Sequence, residues 1–442
     1  MNSELSQYIE LFDSHRSTID AHSPEVLNRR RERACAILRQ MERMPRRGDE
    51  GYPVVSLAEM FAPDYGLNIT RVDFGDAGIQ KSVGCLPAAN SAAALIVNDS
   101  FVRCPVQLPE GVEVCSYSEG AQKYPSLFEE EIAPAANPIV ALNDLLAQDG
   151  VFIRVSKGAV ADRPIQVLSV FNSSRPIMGV RRVRIHVEEG ASASVLMCDH
   201  PVAGAADNLS CRVVEASVGR GASLNFYDLE EAGAGSRRAS VFAASQAEGS
   251  RLNVCSLFLN GGITRNEFYP FHSGPRCESS IGGLVIGAGE QIVDNMVRID
   301  HTHPRCHSEQ LFKYALFDSA KGSFEGLVKI EKEALHTAAH QSNRNLLASP
   351  GAKMYAMPQL EIYCDEVKAS HGSATGQLDE RALFYMRQRG IPEAEARMML
   401  VNAFMTDVLE AIAEEPLRER LRHLVDVRLR GTETVCAGCR ES

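Results

Sequence analysis

Glycine residues recur at nearly constant intervals through the middle of the sequence. This repeat limits the possible folds more than any other feature. From about residue 150 apolar and polar residues alternate, and a glycine, usually followed by Ala or Ser, opens each new stretch. Alternation of this kind indicates strands, and regularly spaced strand–Gly–strand units indicate repeats that must stack to bury their apolar faces. The glycines are Gly158, Gly190, Gly221, Gly249, Gly289, Gly322 and Gly351, at intervals of 32, 31, 28, 40, 33 and 29 residues.

The composition favours one kind of stack. Propeller blades usually carry aromatic motifs, whereas this chain has no Trp, only 6% aromatic residues and 33 Gly. A β-helix needs small and aliphatic side chains stacked coil upon coil, with Gly where the backbone turns with positive φ. We therefore predict a mainly β protein built on a β-helix; an irregular β-sandwich with Gly in its turns is the alternative.

The sequence divides into three regions. Residues 1–137 mix helical patterns with short apolar runs and are predicted to form an N-terminal helical or mixed domain, which ends in a Pro-rich segment. The β pattern then occupies 138–377. Residues 378–442 are predicted to be helical, with Asp379 as the first N-cap and Pro392 and Pro416 at later helix starts and breaks.

The charge and cysteine pattern excludes several classes of protein. Lys+Arg 46 against Asp+Glu 57 gives a net charge of −11, which disfavours nucleic-acid binding. The 12 Cys are mostly scattered singly, unlike a disulfide-stapled secreted domain. No secretion signal is visible, and runs such as Ala92–Val97 are too short to span a bilayer. We expect a cytoplasmic protein with reduced thiols, without a membrane or nucleic-acid partner. Because no P-loop motif occurs, the chain does not itself hydrolyse nucleotides by that route.

Two segments could hold a metal. In Asp300–His307, the side chains of His301, His303 and Cys306 are suitable ligands for a soft or borderline ion, although the spacing fits a polar turn as well. In Glu361–His371, Cys364 and His371 lie seven residues apart with carboxylates between them. They could hold iron, zinc or a cluster, or His371 could be a structural histidine. Cys436 and Cys439 have redox spacing, but a single C-x-x-C near a chain end is a weak signal.

Three runs of sequence resemble the SufB/SufD family of the SUF iron–sulfur cluster assembly machinery. They are Asp300–Cys306, Gln341–Leu347 and, most specifically, Pro358–Ile391 with its Ser370-His371-Gly372 and Gly376-Gln377-Leu378-Asp379. The last run is closer to the SufD side of the family. The resemblance is specific over roughly residues 290–410 and weaker from about 137 onward.

The resemblance implies a fold and a role. It implies a right-handed parallel β-helix between helical regions, and a non-enzymatic scaffold that works with the paralogue SufB and the ATPase SufC. It places a transient Fe–S cluster or iron at the SufB interface, with His371 as a ligand, and the ATPase on the C-terminal helices. In the apolar stripes of these helices, the candidate docking residues are Leu383, Phe384, Leu400 and Phe404. An isolated chain could also be a homodimer.

Two departures from the family pattern bear on the ligands. The thiol frequent two residues before the histidine is replaced by Ala369, and a histidine common before the last cysteine of Asp300–Cys306 is Arg305. These departures leave Cys364 as the nearest thiol to His371. Two alternatives stay open: a SufB-like subunit that holds the cluster on its own thiols, and a β-helix carbohydrate-active enzyme. The latter would need paired acids, aromatic platforms and export.

Overall fold

Two long sheets face each other through most of the chain. In the computed structural model, which describes residues 4–72, 93–104, 106–200, 202 and 204–430, successive strands alternate between the sheets. Sheet I has the strand order β19-β17-β15-β13-β11-β9-β7-β5-β1-β2, and sheet II has the order β18-β16-β14-β12-β10-β8-β6-β4-β3. From β4 onward each strand pairs in parallel with the strand two positions along the chain. The result is a β-solenoid of about eight turns, so the predicted fold class is confirmed.

The elements have the following bounds. The helices are α1 Glu4–Ala21, α2 Glu25–Gln40, α3 Leu57–Phe61, α4 Tyr117–Lys123, α5 Pro138–Leu146, α6 Glu380–Gln388, α7 Glu393–Glu410 and α8 Glu415–Leu429. The strands of sheet I are β1 Ala94–Val97, β2 Ser100–Arg103, β5 Ile165–Val170, β7 Ser192–His200, β9 Ser223–Glu231, β11 Arg251–Asn260, β13 Glu278–Gly287, β15 His307–Leu316, β17 Ala338–Leu347 and β19 Lys368–Gly376. Those of sheet II are β3 Val112–Ser116, β4 Gly150–Val155, β6 Ile177–Val187, β8 Asn208–Val218, β10 Ser236–Gln246, β12 Ile263–His272, β14 Ile292–His301, β16 Lys321–Ile330 and β18 Lys353–Ile362.

The corner from sheet II to sheet I repeats in every coil and explains the glycine spacing. In each of the seven corners from β4–β5 to β16–β17, one residue has positive φ, which glycine adopts without steric cost. Its N–H donates to a carbonyl in the next corner, so the turns form a hydrogen-bonded column. The column runs Gly158, Gly190, Gly221, Gly249, Arg276, Arg305 and His336, with φ between 57° and 70°.

The repeat predicted from the sequence was therefore wrong at Gly289, Gly322 and Gly351, which do not occupy this corner position. Gly289, with φ 62°, lies in the opposite corner, between β13 and β14, which produced the interval of 40 residues. Gly322 lies inside β16, and Gly351 is not among the residues with positive φ. The corner continues past Gly249 with non-glycine residues, so glycine alone does not mark it.

Helices cover the outer faces of the two sheets. On sheet II, Asn143 of α5 donates to the backbone oxygens of Arg181 and Cys211, each at 3.0 Å. On sheet I, Lys313 Nζ lies 2.6 Å from Asp407 Oδ2 of α7. The apolar core of the solenoid thus lies between two further apolar layers, one under each helical group.

The terminal segments agree with the helical predictions at both ends. Asp379 caps α6, as predicted, by accepting from the N–H groups of Arg381 and Ala382. The strands β1–β3, from the first 137 residues, extend the two sheets, and the three-domain division stays a prediction. Within the described residues, no helix has the length and apolar character needed to cross a bilayer. Cys436 and Cys439 lie outside the described residues.

Candidate functional site: the terminal coil of the solenoid

The last coil, formed by β18 and β19, leaves its end of the solenoid open. These strands are the final members of sheets II and I, so each has one edge without a strand neighbour among the described residues. Nearly every residue of β19 is exposed, whereas every second residue of β17, one coil deeper, is buried. Tyr355, Met357, Ile362 and Tyr363 are each between 42% and 54% exposed. Exposed edges and apolar surface of this kind are the features of an interface.

One half of this open end is polar, and His371 lies in it. Gln310, Gln341 and His371 are register partners on β15, β17 and β19, so all three occupy the inward-facing position of successive coils. Gln341 Nε2 donates to Gln310 Oε1 at 2.8 Å, and both glutamines are fully buried. His371 is exposed because no coil follows it in the described part of the chain. The inward position therefore changes from a buried amide to an accessible imidazole within one coil.

Buried amides continue this polar lining beside His371. Asn345 Nδ2 donates to Asn343 Oδ1 at 2.6 Å and to Thr375 Oγ1 at 3.1 Å, and Ser373 Oγ donates to Asn343 Oδ1 at 3.1 Å. On the opposite strand, the inward residues Pro358, Leu360 and Ile362 are apolar. The terminal coil therefore presents a divided surface, polar along β19 and apolar along β18.

A glycine makes room for the glutamine beneath His371. A Cβ on Gly326 would lie 1.9 Å from Gln341 Nε2, so no larger residue fits while the carboxamide holds its position. Gln341 Oε1 and Gln310 Nε2 are buried without a hydrogen-bond partner. Buried polar atoms of this kind are costly unless another group satisfies them. Gln310 and Gln341 therefore each have one further atom available for a hydrogen bond directly beneath the open end.

Cys364 lies near His371 in sequence but packs in an apolar cluster. It is 7% exposed and contacts a group formed by Val328, Ile330, Ala334 and Ala339. A thiol in apolar surroundings lacks the donors that stabilise a thiolate ligand. The structure thus brings Cys364 to the terminal coil, with its side chain among hydrocarbon rather than at the exposed surface.

The other predicted metal segment lies deeper in the solenoid. His301 is fully buried, its Nε2 is 2.8 Å from Ser308 Oγ, and its ring meets that of His272 edge to face at 4.7 Å. Burial lowers the pKa of His301 to about 4. Cys306 is buried in the corner that follows, and His303 Nδ1 contacts the backbone oxygen of His272 at 3.1 Å. Among the described residues, no group of three or more His, Cys, Asp or Glu side chains is arranged to hold a metal ion.

The four apolar residues proposed for docking fall into two groups. Leu383 is 2% exposed, and Leu400 and Phe404 are partly buried against the outer layer of sheet I. Lys313 Nζ also lies 4.9 Å from the Phe404 ring centroid. Phe384, at 60%, is exposed, as are Tyr385 and Met399. Three of the four therefore stabilise the C-terminal helices against the solenoid or each other, and Phe384 is the one that presents its side chain to solvent.

Sequence reasoning missed the chemistry of the amide lining. Gln341, Asn343 and Asn345 alternate with other residues at period 2, which places them on one face of a strand. Their buried state was not apparent, because amides are usually exposed. A period-2 run of amides in the last coils of a solenoid is the signal that could have found it.

The geometry defines a class of protein: a two-sheet parallel β-solenoid, helical at both ends, with one open terminal coil and no enclosed metal site among the described residues. The family models for the SUF system FeS cluster assembly SufBD core domain and for the SufBD protein N-terminal region match residues 170–404 and 1–167. The chain belongs to the SufBD family of iron–sulfur cluster assembly proteins.

Relatives with that function are similar over most of their length. The iron–sulfur cluster assembly protein SufD of Escherichia coli is 27% identical over 73% of this chain and 75% of its own. SufD of Bacillus subtilis is 24% identical over 71% of each chain. The SufBD family protein slr0076 of Synechocystis is 25% identical over 91% of each.

Proposed function

We propose that the chain is a non-enzymatic scaffold subunit of the SUF system. It pairs through its open terminal coil with a SufB-type paralogue, and its C-terminal helices bind a SufC-type ATPase. An iron ion or nascent Fe–S cluster is held transiently at the paralogue interface, with His371 as this chain's ligand. The main support for the proposal is that the inward-facing position is buried at Gln341 but exposed at its register partner His371, one coil later.

The surroundings of His371 support coordination shared between two chains. The neighbouring residues are small: Ala369 and Ser370 precede it and Gly372 follows it. A Cβ on Gly372 would have no heavy atom within 4 Å, so there is space for an approaching group. Imidazole is a good ligand for iron. Since one imidazole cannot complete a coordination sphere, the remaining ligands would come from the partner.

The open coil supports a partner with matching architecture. A second solenoid end with exposed strands could continue the hydrogen bonding of β18 and β19 and cover Tyr355, Met357 and Ile362. Adding strands across an edge is an established mode of protein association. In the isolated chain, a second copy could occupy the same surface and produce a homodimer.

An exposed apolar patch on the C-terminal helices supports the second interface. Phe384 and Tyr385 on α6 and Met399 on α7 are 60%, 56% and 47% exposed. The rest of α7 and α8 holds these helices to sheet I, so the patch is carried on an anchored support. The ATPase supplies the nucleotide hydrolysis for which this chain has no P-loop motif.

Co-purification tests the proposal. The chain is expressed with SufB-type and SufC-type partners, once as the natural sequence and once as Ile362→Asp, which places a charge on the open end. Val160→Asp is the matched control, because Val160 is an apolar residue 70% exposed near the opposite end. The paralogue should be lost only with Ile362→Asp. Retention of the paralogue with the folded Ile362→Asp variant, or equal loss with the control, would rule out the terminal coil as the interface.

A further inference from the structure

Two successive coils carry eight-residue segments that share the pattern His-x-x-Pro-Arg-Cys-x-Ser. Residues 272–279 read His-Ser-Gly-Pro-Arg-Cys-Glu-Ser, and residues 301–308 read His-Thr-His-Pro-Arg-Cys-His-Ser. Both segments form the corner from sheet II to sheet I. Because the motifs are one coil apart, like residues stack on like. The two histidine rings meet at 4.7 Å, and each histidine Nε2 contacts the motif's final serine, at 2.7 Å and 2.8 Å.

The stacking brings Cys277 and Cys306 together. The N–H of His307 donates to the backbone oxygen of Cys277 at 2.8 Å, and the two cysteines directly precede the adjacent parallel strands β13 and β15. Both sulfur atoms contact the backbone oxygen of Gly274, at 3.2 Å and 3.5 Å. Adjacent strands lie about 4.8 Å apart, which is within the Cα separation of about 4.4–6.8 Å that a disulfide accepts.

We propose that Cys277 and Cys306 form a reversible redox pair, in which a peroxide oxidises the two thiols to a disulfide that links successive coils. The pair is separate from the terminal coil and does not depend on the function proposed for it. The Cys277 sulfur is buried and contacts the backbone oxygens of Gln246, Ala247 and Gly274, at 3.4, 3.2 and 3.2 Å. The hydrogen bond between Cys277 and Cys306 lowers the pKa of the Cys277 thiol and raises that of Cys306, whereas burial raises the pKa values of Cys211 and Cys255 to about 12.

The reaction balances with hydrogen peroxide as oxidant. The Cys277 thiolate attacks one peroxide oxygen, the O–O bond breaks, and hydroxide leaves, giving a sulfenic acid. The Cys306 sulfur attacks the sulfenic sulfur, an S–S bond forms, and the S–O bond breaks. The Cys306 proton and one from solvent convert the two hydroxide equivalents to water. The two thiols together lose two electrons, and the peroxide is reduced to two water molecules.

The alternative is that the two cysteines have only a structural role. The residues at the same position in the neighbouring corners suggest variants that test this alternative. Ser250 precedes the pair in the column of corners, and Thr337 follows it. Both are small buried hydroxyl residues, so the position accepts a hydroxyl group in place of a thiol. Cys277→Ser and Cys306→Ser should therefore fold. Each removes the redox chemistry while it keeps a donor in the corner.

The test measures thiol oxidation in the folded full-length chain. The protein is treated with hydrogen peroxide, its free thiols are alkylated after denaturation, and peptides are mapped by mass spectrometry with and without dithiothreitol. We expect a Cys277–Cys306 disulfide that dithiothreitol reverses, while Cys211 and Cys255 stay reduced. In the Cys306→Ser variant, Cys277 should instead accumulate as sulfenic acid or its adducts.

Three results would overturn the proposal. The first is that Cys277 and Cys306 remain free thiols in the folded protein while peroxide oxidises other cysteines. The second is that their disulfide appears only after the protein is unfolded. The third is that Cys306→Ser leaves the oxidation state of Cys277 unchanged from that in the natural sequence.

Discussion

Gln341 and His371 are register partners on adjacent strands, yet one is fully buried and the other exposed. The buried carboxamide hydrogen-bonds to Gln310 one coil deeper, and the imidazole faces the open end. An inward-facing residue of a solenoid is normally covered by the next coil. Under the proposed function, a partner chain would cover His371.

The first prediction concerns His371→Ala. Because the side chain is exposed, its loss should change the free energy of unfolding by no more than about 0.5 kcal/mol. Iron and sulfide bound by the complex with the paralogue should nevertheless fall, since alanine cannot coordinate iron. His340→Ala is the control, because His340 is exposed one coil deeper on the outer face. Denaturant unfolding and cluster absorbance measure the two effects. Normal cluster loading by the His371→Ala complex would contradict the assignment.

The second prediction concerns the ATPase contact. Phe384→Asp should abolish binding of the SufC-type ATPase without unfolding the chain, because Phe384 is 60% exposed. Leu383→Asp is the contrasting variant, since Leu383 is buried and its substitution should destabilise the helices themselves. A point substitution is preferable to removal of α6–α8, which would uncover the apolar outer layer of sheet I. Titration calorimetry measures the affinity of each variant for the ATPase. An unchanged affinity of Phe384→Asp for the ATPase would refute the proposed patch.

The third prediction concerns a buried ion network between the N-terminal helices and sheet II. Glu215 Oε2 lies 2.8 Å from Arg182 Nη2 and 3.3 Å from Arg30 Nη1, and all three side chains are buried. Glu215→Gln leaves two guanidinium groups without that charge, and should destabilise the chain by about 3–5 kcal/mol. Glu189→Gln, at an exposed ion pair that solvent screens, should cost much less. Urea unfolding of both variants measures the contrast, and equal costs would contradict it.

The same network predicts a pH dependence. Burial alone would raise the pKa of Glu215, but Arg182 and Arg30 outweigh it and hold that pKa well below its usual range. A lowered folded-state pKa means that the stabilisation is fully present above the unfolded-state pKa of about 4.3 and is lost as the pH falls below it. The difference in unfolding free energy between the natural chain and Glu215→Gln should therefore shrink below about pH 4. A difference that stays constant on acidification would show that Glu215 is not the responsible group.

The fourth prediction concerns the corner column. Gly190 has φ 67°, and an added Cβ would meet no heavy atom within 4 Å, so Gly190→Ala should pay only the backbone cost of roughly 1–2 kcal/mol. Gly376→Ala is the control, because that position also has space and its φ is not positive. Thermal or denaturant unfolding measures the difference. Equal stability of the two variants would mean that the corner does not impose the left-handed backbone.

The sequence predicted the repeat well where glycine marks the corner and failed where other residues adopt the same backbone. Arg276, Arg305 and His336 have positive φ because the stacked hydrogen bonds hold them there, and residue type does not reveal this. Helical periodicity likewise identified the apolar stripe of α7. It could not show that Leu400 and Phe404 face this chain's own sheet, since an inner contact and a docking surface have the same pattern.

The candidate site was predicted only in part. His371 was found because its motif resembles the family's, and the structure adds that it lies on the inward face of an open coil. Proximity in sequence suggested Cys364 as a further ligand, but its position after the strand places the thiol among Val328 and Ile330. Whether a side chain in a turn faces solvent or core depends on the neighbouring coil, which a local pattern does not encode.

Hydrogen–deuterium exchange can test whether the terminal coil is the interface with a paralogous chain. Exchange is compared between the isolated chain and its complex with a SufB-type partner, with α2, Glu25–Gln40, as the internal reference. We predict slower exchange of backbone amides in β18 and β19, Lys353–Ile362 and Lys368–Gly376, with α2 unchanged. Protection confined to other segments, with β18 and β19 exchanging as fast as in the isolated chain, would show that the partner binds elsewhere.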